Sequence, residues 1–180
     1  MHDEAGSPEQ QGLPPAAIPV IRMGAMLMRG GDHRGDDDGH WEHHAAALAS
    51  TVAVMRTGVV SFAAQHGASL RAQTDIALAV SEAVTNSVVH AFVHQPAGTI
   101  SLFAEAAVDA LHVRIADDGG GMSPRTDSPG MGLGLHLIER LSSSFELGAG
   151  PRGRGTEMLL SFDAPGMRAM ASNGPAPRPL

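Results

Sequence analysis

The chain has 180 residues, a formal charge of −7 and 43% hydrophobic residues. This length accommodates one core domain with extensions, and the hydrophobic fraction is sufficient for a packed core. The negative charge argues against direct nucleic-acid binding, which requires a basic surface facing the phosphates. The absence of cysteine excludes disulfides, thiol catalysis and thiolate metal sites. No apolar run approaches the roughly 20 residues that span a bilayer, so no membrane association is expected.

All 12 basic residues are arginine, because the chain contains no lysine. A Walker-type phosphate loop needs a lysine to reach the terminal phosphates of a nucleotide, and the nucleotide-binding strand of eukaryotic protein kinases needs one as well. Both designs are therefore excluded, and so is Schiff-base catalysis through lysine.

Residues 1–40 are expected to form a disordered extension, because their polar parts have no helical or strand period. An apolar patch with three methionines at 23–28 is either a partner-binding segment or an artefact of the translation start. Four histidines suggest a metal site by number: His33, His40, His43 and His44. Without cysteine nearby, a solvated tail is the better interpretation of these histidines.

An ordered domain is predicted over residues 41–163, followed by a flexible tail over 164–180. The apolar period predicts helices over 50–66, from Thr74 or Asp75 to 93, and over 132–142. A period of two predicts strands over 99–104, 110–116, 144–147 and 156–162. This order favours the α+β class: a two-layer sandwich in which a mixed, mostly antiparallel sheet carries helices on one face.

Two polar residues, Glu82 and Asn86, lie four apart on the second predicted helix and therefore share one face. Taken alone, they would be interpreted as an exposed polar pair. In a functional interpretation, Asn86 offers its amide oxygen to Mg²⁺ while Glu82 accepts a proton from an attacking hydroxyl. Both side chains suit a hard cation that lies beside phosphates.

A second motif, Asp-Asp-Gly-Gly-Gly, begins at Asp117, where a predicted strand ends. The glycines at 119 to 121 allow a sharp turn and the close approach of a ligand. A carboxylate at the end of a buried strand can accept a hydrogen bond from an exocyclic amine such as that of adenine. A glycine turn with two solvated acids explains the segment equally well when it is considered alone.

Further glycines at 130, 132 and 134 lead directly into a predicted helix, whose start gathers unpaired N–H groups that suit anions. The spacing departs from the dinucleotide-binding fingerprint, and no long β–α–β unit surrounds it. Thr156 follows a Gly-Arg-Gly turn at the start of the last predicted strand, where it either binds a ligand or ends the turn.

The order of these four motifs resembles that of the Bergerat (GHKL) ATP-binding superfamily, which includes histidine kinases, the gyrase B subunit, MutL-type repair proteins and heat-shock chaperones. The resemblance covers about residues 50–162. The segment SEAVTNSVVHAF is similar to the corresponding helix of bacterial anti-sigma-factor serine/threonine kinases, which act by partner switching.

The resemblance implies a role for each motif residue. Glu82 would be the general base, Asn86 would hold Mg²⁺, and Asp117 would bind the adenine amine. The remaining ATP-binding residues implied are Gly119, Gly121, Gly130, Gly132, Gly134, Leu135 and Thr156. The resemblance also implies a cytoplasmic protein that phosphorylates an anti-sigma-factor antagonist and binds a sigma factor, with a homodimer as a further expectation.

The lid between the two glycine motifs, at 122–129, is short for this family. An arginine that family members often place just before the second glycine motif is missing here, so Arg125, Arg152 or Arg154 would have to supply charge at the γ-phosphate. Two alternatives to the serine/threonine kinase follow: a non-catalytic, ATP-gated binding module and a detached histidine-kinase ATPase domain.

Overall fold

The computed structural model describes residues 39–93, 95–121 and 131–169. The strands are β1 (His40–Ala46), β2 (Thr99–Ala107), β3 (Ala110–Asp117), β4 (Ser144–Ala149) and β5 (Thr156–Asp163). The helices are α1 (Ala49–Gln65), α2 (Leu70–His90) and α3 (Met131–Leu141), with a short 3₁₀ turn at Pro151–Gly153. No helix in these ranges is both long and apolar enough to cross a membrane.

The five strands form one sheet in the order β1-β2-β3-β5-β4, and all four pairings are antiparallel. Alternate residues of the three central strands are buried, as the period of two predicts. They form one core with the apolar faces of the helices, and α2 packs against both α1 and α3. The predicted α+β sandwich is confirmed. All of its strand pairings are antiparallel, whereas a mixed, mostly antiparallel sheet was expected.

The first two helices are where the apolar period places them, but α2 begins earlier than predicted. Ser69 is its N-cap, and the side chain of Ser69 accepts a hydrogen bond from the Ala72 amide at 3.2 Å. Thr74, which was expected near the start, lies inside the helix and donates its hydroxyl hydrogen to the Leu70 carbonyl at 2.9 Å. The prediction of a start at Thr74 or Asp75 is therefore wrong, because a hydroxyl satisfied inside the helix was interpreted as a cap.

The prediction missed β1, which lies at one edge of the sheet and pairs with β2. Trp41 and His43 stand opposite Ala104 and Leu102, on the core side, and the Trp41 ring packs over Gly58 of α1. The interpretation of His40, His43 and His44 as a solvated tail is wrong, because all three belong to this strand. Residues 1–38, which include His33, lie outside the described residues.

The packed part of the chain continues past the predicted boundary at residue 163. Ala164 and Met167 are buried in the core. Backbone hydrogen bonds join Asp109 N–H to the Met167 carbonyl at 3.2 Å and Arg168 N–H to the His66 carbonyl at 3.0 Å. The segment 164–168 therefore packs against the core beside the β2–β3 turn. Residues 170–180 of the predicted tail lie outside the described residues.

Candidate functional site

The helix α2 carries the first part of the site on the face that it turns inward. Its core contacts come from residues such as Val80 and Ala83, which are fully buried. Asn86 is 4% exposed, and Glu82, one turn earlier, is half-buried. The exposed polar pair that the sequence also allowed is therefore excluded, because a solvated pair would not be enclosed to this degree. The amide nitrogen of Asn86 is buried and forms no hydrogen bond.

Asp117 ends the buried strand β3 and is itself 3% exposed. Its Oδ1 accepts hydrogen bonds from the backbone amides of Gly119 and Thr156, each at 3.1 Å. Its Oδ2 is buried and forms no hydrogen bond of regular geometry, and the Ser87 hydroxyl interacts with the carboxyl group. One oxygen therefore fixes the orientation of the carboxyl group, and the other keeps the capacity to accept a hydrogen bond from a ligand.

Burial raises the pKa of the Asp117 carboxyl above its ordinary value, because an enclosed site disfavours the charged form. The amides of Gly119 and Thr156 and the nearby Ser87 hydroxyl act in the opposite direction, and the negative charge of Asp118 adds to the increase. The fold thus maintains a carboxyl group that is costly to ionise, which is typical of a functional site.

Two glycines allow the backbone to close around Asp117. A Cβ atom on Gly119 would strike the Ala91 carbonyl at the end of α2. A Cβ atom on Gly155 would strike the backbone carbonyl of Asp117, and Gly155 also has a φ of +70°. Only glycine therefore lets the end of α2, the end of β3 and the start of β5 converge at this point.

A cavity of about 600 Å³ opens beside this convergence. The glycine loop 119–121 and the segment 153–156 line it, together with the end of β4. Arg154 also lines this cavity. Whether it supplies charge at the γ-phosphate stays a prediction. The volume lies within the range of about 300–1,000 Å³ that is typical of small-molecule sites.

Glu82 lies directly against α3 at Gly134, where an added Cβ atom would strike the carboxyl oxygen of Glu82. The structure thus brings together two motifs that are 52 residues apart in the sequence. Leu135 is partly buried and packs against the core. Gly132 belongs to α3, whereas Gly130, Arg125 and the predicted lid at 122–129 lie outside the described residues.

Sequence reasoning missed Ser87, whose side chain is fully buried next to Asn86. A signal was present, because Ser87 follows Val80 and Ala83 at helical spacing and is therefore a polar residue at a core position. The close approach of Gly155 to β3 had no comparable signal, because it depends on how β5 pairs with β3.

Comparisons with known proteins agree with this geometry. The histidine kinase-like ATPase domain matches residues 45–161. The chain is 30% identical to the anti-sigma F factor of Clostridium beijerinckii, over 60% of this chain and 82% of that protein. It is 35% identical to the serine-protein kinase RsbW of Listeria innocua, over 53% of this chain and 71% of that one.

A solved structure of the RsbU and RsbW domains of Rv1364c from Mycobacterium tuberculosis has a TM-score of 0.52 and 22% identity to this chain. The match covers 69% of this chain and 32% of that one, and at this identity it supports the fold alone. Together with the two relatives above, the ATPase domain match identifies the family. The chain belongs to the histidine kinase-like ATPase domain family, and within that family to the anti-sigma-factor serine-protein kinases.

Proposed function

We propose that this protein binds Mg²⁺·ATP in the site around Asp117 and transfers the γ-phosphoryl group to a serine or threonine of a partner protein. The observation that carries the proposal is the buried Oδ2 of Asp117, which forms no hydrogen bond of regular geometry. Gly119 and Thr156, whose amides hold the other oxygen of this carboxyl group, line an open cavity. A buried polar atom without a partner is unfavourable unless a ligand satisfies it. The exocyclic amine of adenine is a hydrogen-bond donor of the required type.

Asn86 suits magnesium because its amide oxygen is a hard ligand. Within the described ranges, no group of three or more histidine or carboxylate side chains could hold a metal by itself. Magnesium sites beside nucleotides use one or two protein ligands together with phosphate oxygens and water. Magnesium would neutralise charge on the phosphates, and Asn86 would hold it there.

Glu82 would act as the general base. As the hydroxyl oxygen of the partner attacks the γ-phosphorus, its proton passes to the Glu82 carboxylate and the bond from phosphorus to the β-phosphate oxygen breaks. The products are a phosphoester on the partner and ADP. Such a transfer needs mainly alignment and charge neutralisation, with one group to accept the proton. The half-buried position of Glu82 against Gly134 provides a fixed carboxylate for that step.

The partner that we propose as substrate is an anti-sigma-factor antagonist, and the second partner is a sigma factor. The names of two relatives support this assignment, since one is an anti-sigma factor and the other a serine-protein kinase. Phosphorylation of the antagonist would then decide which partner occupies the kinase in the cytoplasm. Homodimer formation stays a prediction.

The test is transfer of labelled γ-phosphate from ATP to an antagonist protein by the wild type and by Glu82→Gln. We expect the variant to lose at least a hundredfold in rate, in line with general-base contributions of about 10²–10⁴, and to retain its ATP affinity within a few-fold. Glu139→Gln is the control, because Glu139 is an exposed carboxylate on α3.

Three outcomes would contradict the proposal. Equal transfer by the wild type and Glu82→Gln would remove Glu82 from the reaction. ATP binding without any transfer would indicate an ATP-gated binding module. An acid-labile phosphoprotein would instead indicate the histidine-kinase alternative, because phosphohistidine is hydrolysed in acid and phosphoserine is not.

A further inference from the structure

Asp118 is the residue after Asp117, and its side chain contacts the start of β2. Its Oδ1 accepts a hydrogen bond from the backbone amide of Thr99 at 2.8 Å, and its own amide donates to the Thr99 carbonyl at 3.3 Å. Asp118 is exposed, so burial does not hold its side chain in place. The two hydrogen bonds thus join the residue before the glycine loop 119–121 to the first residue of β2, which is 19 positions away in the sequence.

The glycine loop has a second attachment, at the end of α2. The amide of Gly120 donates to the carbonyl of Ala91, the C-cap residue of that helix, at 2.8 Å. The space beside the Asp118 contact is fully used, because a Cβ atom on Gly98 would strike Asp118 Oδ1 and the ring of Phe92. The loop is therefore held between the end of α2 and the start of β2.

The same loop shapes the candidate nucleotide site. The amide of Gly119 holds Oδ1 of Asp117, and residues 119–121 line the cavity. Three consecutive glycines have no side chains that could fix their conformation, and glycine backbone is the most permissive. Because Asp118 lies between Asp117 and Gly119 in the chain, a shift of its backbone would displace both the carboxyl group and the amide that orients it.

We propose that Asp118 is a positioning residue, whose hydrogen bond to the Thr99 amide holds the glycine loop in the conformation that binds the nucleotide. This inference rests on the proposed nucleotide function and adds to it a residue that does not touch the ligand. The role requires an acceptor oxygen and not a charge. The charge itself is unfavourable here, because the negative charge of Asp118 contributes to the raised pKa of the Asp117 carboxyl.

The test measures the binding of Mg²⁺·ATP and Mg²⁺·ADP by calorimetry with the full chain. Asp118→Ala removes the acceptor, whereas Asp118→Asn keeps an acceptor oxygen and removes only the charge. The control is Asp163→Ala. Asp163 is an exposed carboxylate at the end of β5, where it pairs with Ala110 at the other end of that strand from Thr156.

The expected loss follows from one hydrogen bond, which contributes about 1 kcal/mol and corresponds to about a fivefold change in an equilibrium constant. Without this bond the binding conformation is less populated, and the apparent Kd rises by the same factor. Asp118→Ala should therefore bind ATP and ADP about fivefold more weakly. Asp118→Asn and Asp163→Ala should stay within about twofold of the wild type.

A second variant removes the donor of the same hydrogen bond. Thr99→Pro has no backbone N–H, and proline is tolerated at the first residue of a strand. It should weaken both nucleotides about as much as Asp118→Ala does. The double variant should bind only slightly more weakly than either single variant, because both changes remove one interaction. Thermal melting of each variant checks that the fold is intact.

Two results would overturn the inference while the proposed function stands. Equal weakening in Asp118→Ala and Asp118→Asn would mean that the charge of Asp118, and not its hydrogen bond to Thr99, affects the site. Wild-type affinity in Asp118→Ala would mean that the glycine loop keeps its conformation without this contact. If the wild type binds neither nucleotide, the proposed nucleotide function itself fails, and the inference fails with it.

Discussion

Replacing Asp117 with asparagine should separate ligand binding from stability at this site. The change keeps an oxygen that can accept from the amides of Gly119 and Thr156, so the local backbone is retained. It places an amide group, a donor, where the unpartnered Oδ2 now lies. The amino group of adenine would then meet a donor in place of an acceptor.

The expected loss of affinity follows from the kind of bond that is removed. A hydrogen bond to a charged group contributes about 1.5–3 kcal/mol, which corresponds to a tenfold to 150-fold weaker Kd. The loss should fall at the upper end of this range or beyond it, because the variant also leaves two donors facing each other.

The Asp117→Asn change should weaken ATP binding but increase the free energy of unfolding relative to the wild type at higher pH. Burial raises the pKa of Asp117 in the folded state above its value in the unfolded chain, which is near 3.8. The protonated carboxyl group therefore contributes fully to the free energy of unfolding below the unfolded pKa, and this contribution is lost as the pH rises through the folded pKa. The asparagine variant has no such loss. Its free energy of unfolding, relative to that of the wild type, should therefore increase with pH across that window and then level off.

Calorimetry with Mg²⁺·ATP and urea unfolding at several pH values would measure both effects. Asp163→Asn is the matched control, because Asp163 is an exposed carboxylate at the end of β5 and does not contribute to the raised pKa of Asp117. Unchanged ATP affinity in Asp117→Asn would refute the assignment of Asp117 to the base. If the stability of Asp117→Asn relative to the wild type does not increase with pH, the reasoning about the burial of Asp117 is wrong.

Three further predictions concern particular contacts. Gly155→Ala should lower the free energy of unfolding by more than 2 kcal/mol, because Gly155 has a φ of +70° and its added Cβ atom would clash with backbone. Gly153→Ala should lower it by only about 1 kcal/mol, because Gly153 has a φ of +71° but lies in open space. Equal losses for the two variants in urea unfolding would contradict this prediction. Met167→Ala should cost about 2–5 kcal/mol because the side chain is 2% exposed, and a loss below 1 kcal/mol would show that the C-terminal segment does not close the core. Gly134→Ala should displace the Glu82 carboxyl group, because the added Cβ atom would occupy its place. The rate of phosphotransfer should fall at least tenfold, while the ATP affinity should change only a few-fold. An unchanged rate would mean that Glu82 need not lie against α3.

The sequence predicted those elements whose pattern is local. The helix α1 was placed within one residue at each end, and the β2–β3 hairpin was placed where the period of two indicated. The strand β1 was missed because histidine carries much of its alternation, and only pairing with β2 and the contact of Trp41 with Gly58 make it a strand.

The C-terminal segment could not be inferred for a related reason. Its described part depends on hydrogen bonds to Asp109 and His66, which are distant in sequence, and on the burial of Met167 in the core. At the site, the motif order predicted roles for Asp117 and Asn86, because the resemblance rests on those residue types at that spacing. Ser87 belongs to no motif, and its burial beside Asp117 became visible only when α2 and β3 were brought together.

The most direct measurement is the crystal structure of this protein with Mg²⁺ and a non-hydrolysable ATP analogue. We predict that the adenine amine donates to Oδ2 of Asp117, that the amide oxygen of Asn86 coordinates magnesium, and that Glu82 faces the γ-phosphorus. A nucleotide bound elsewhere, or one whose base does not contact Asp117, would contradict the proposed site and the mechanism built on it.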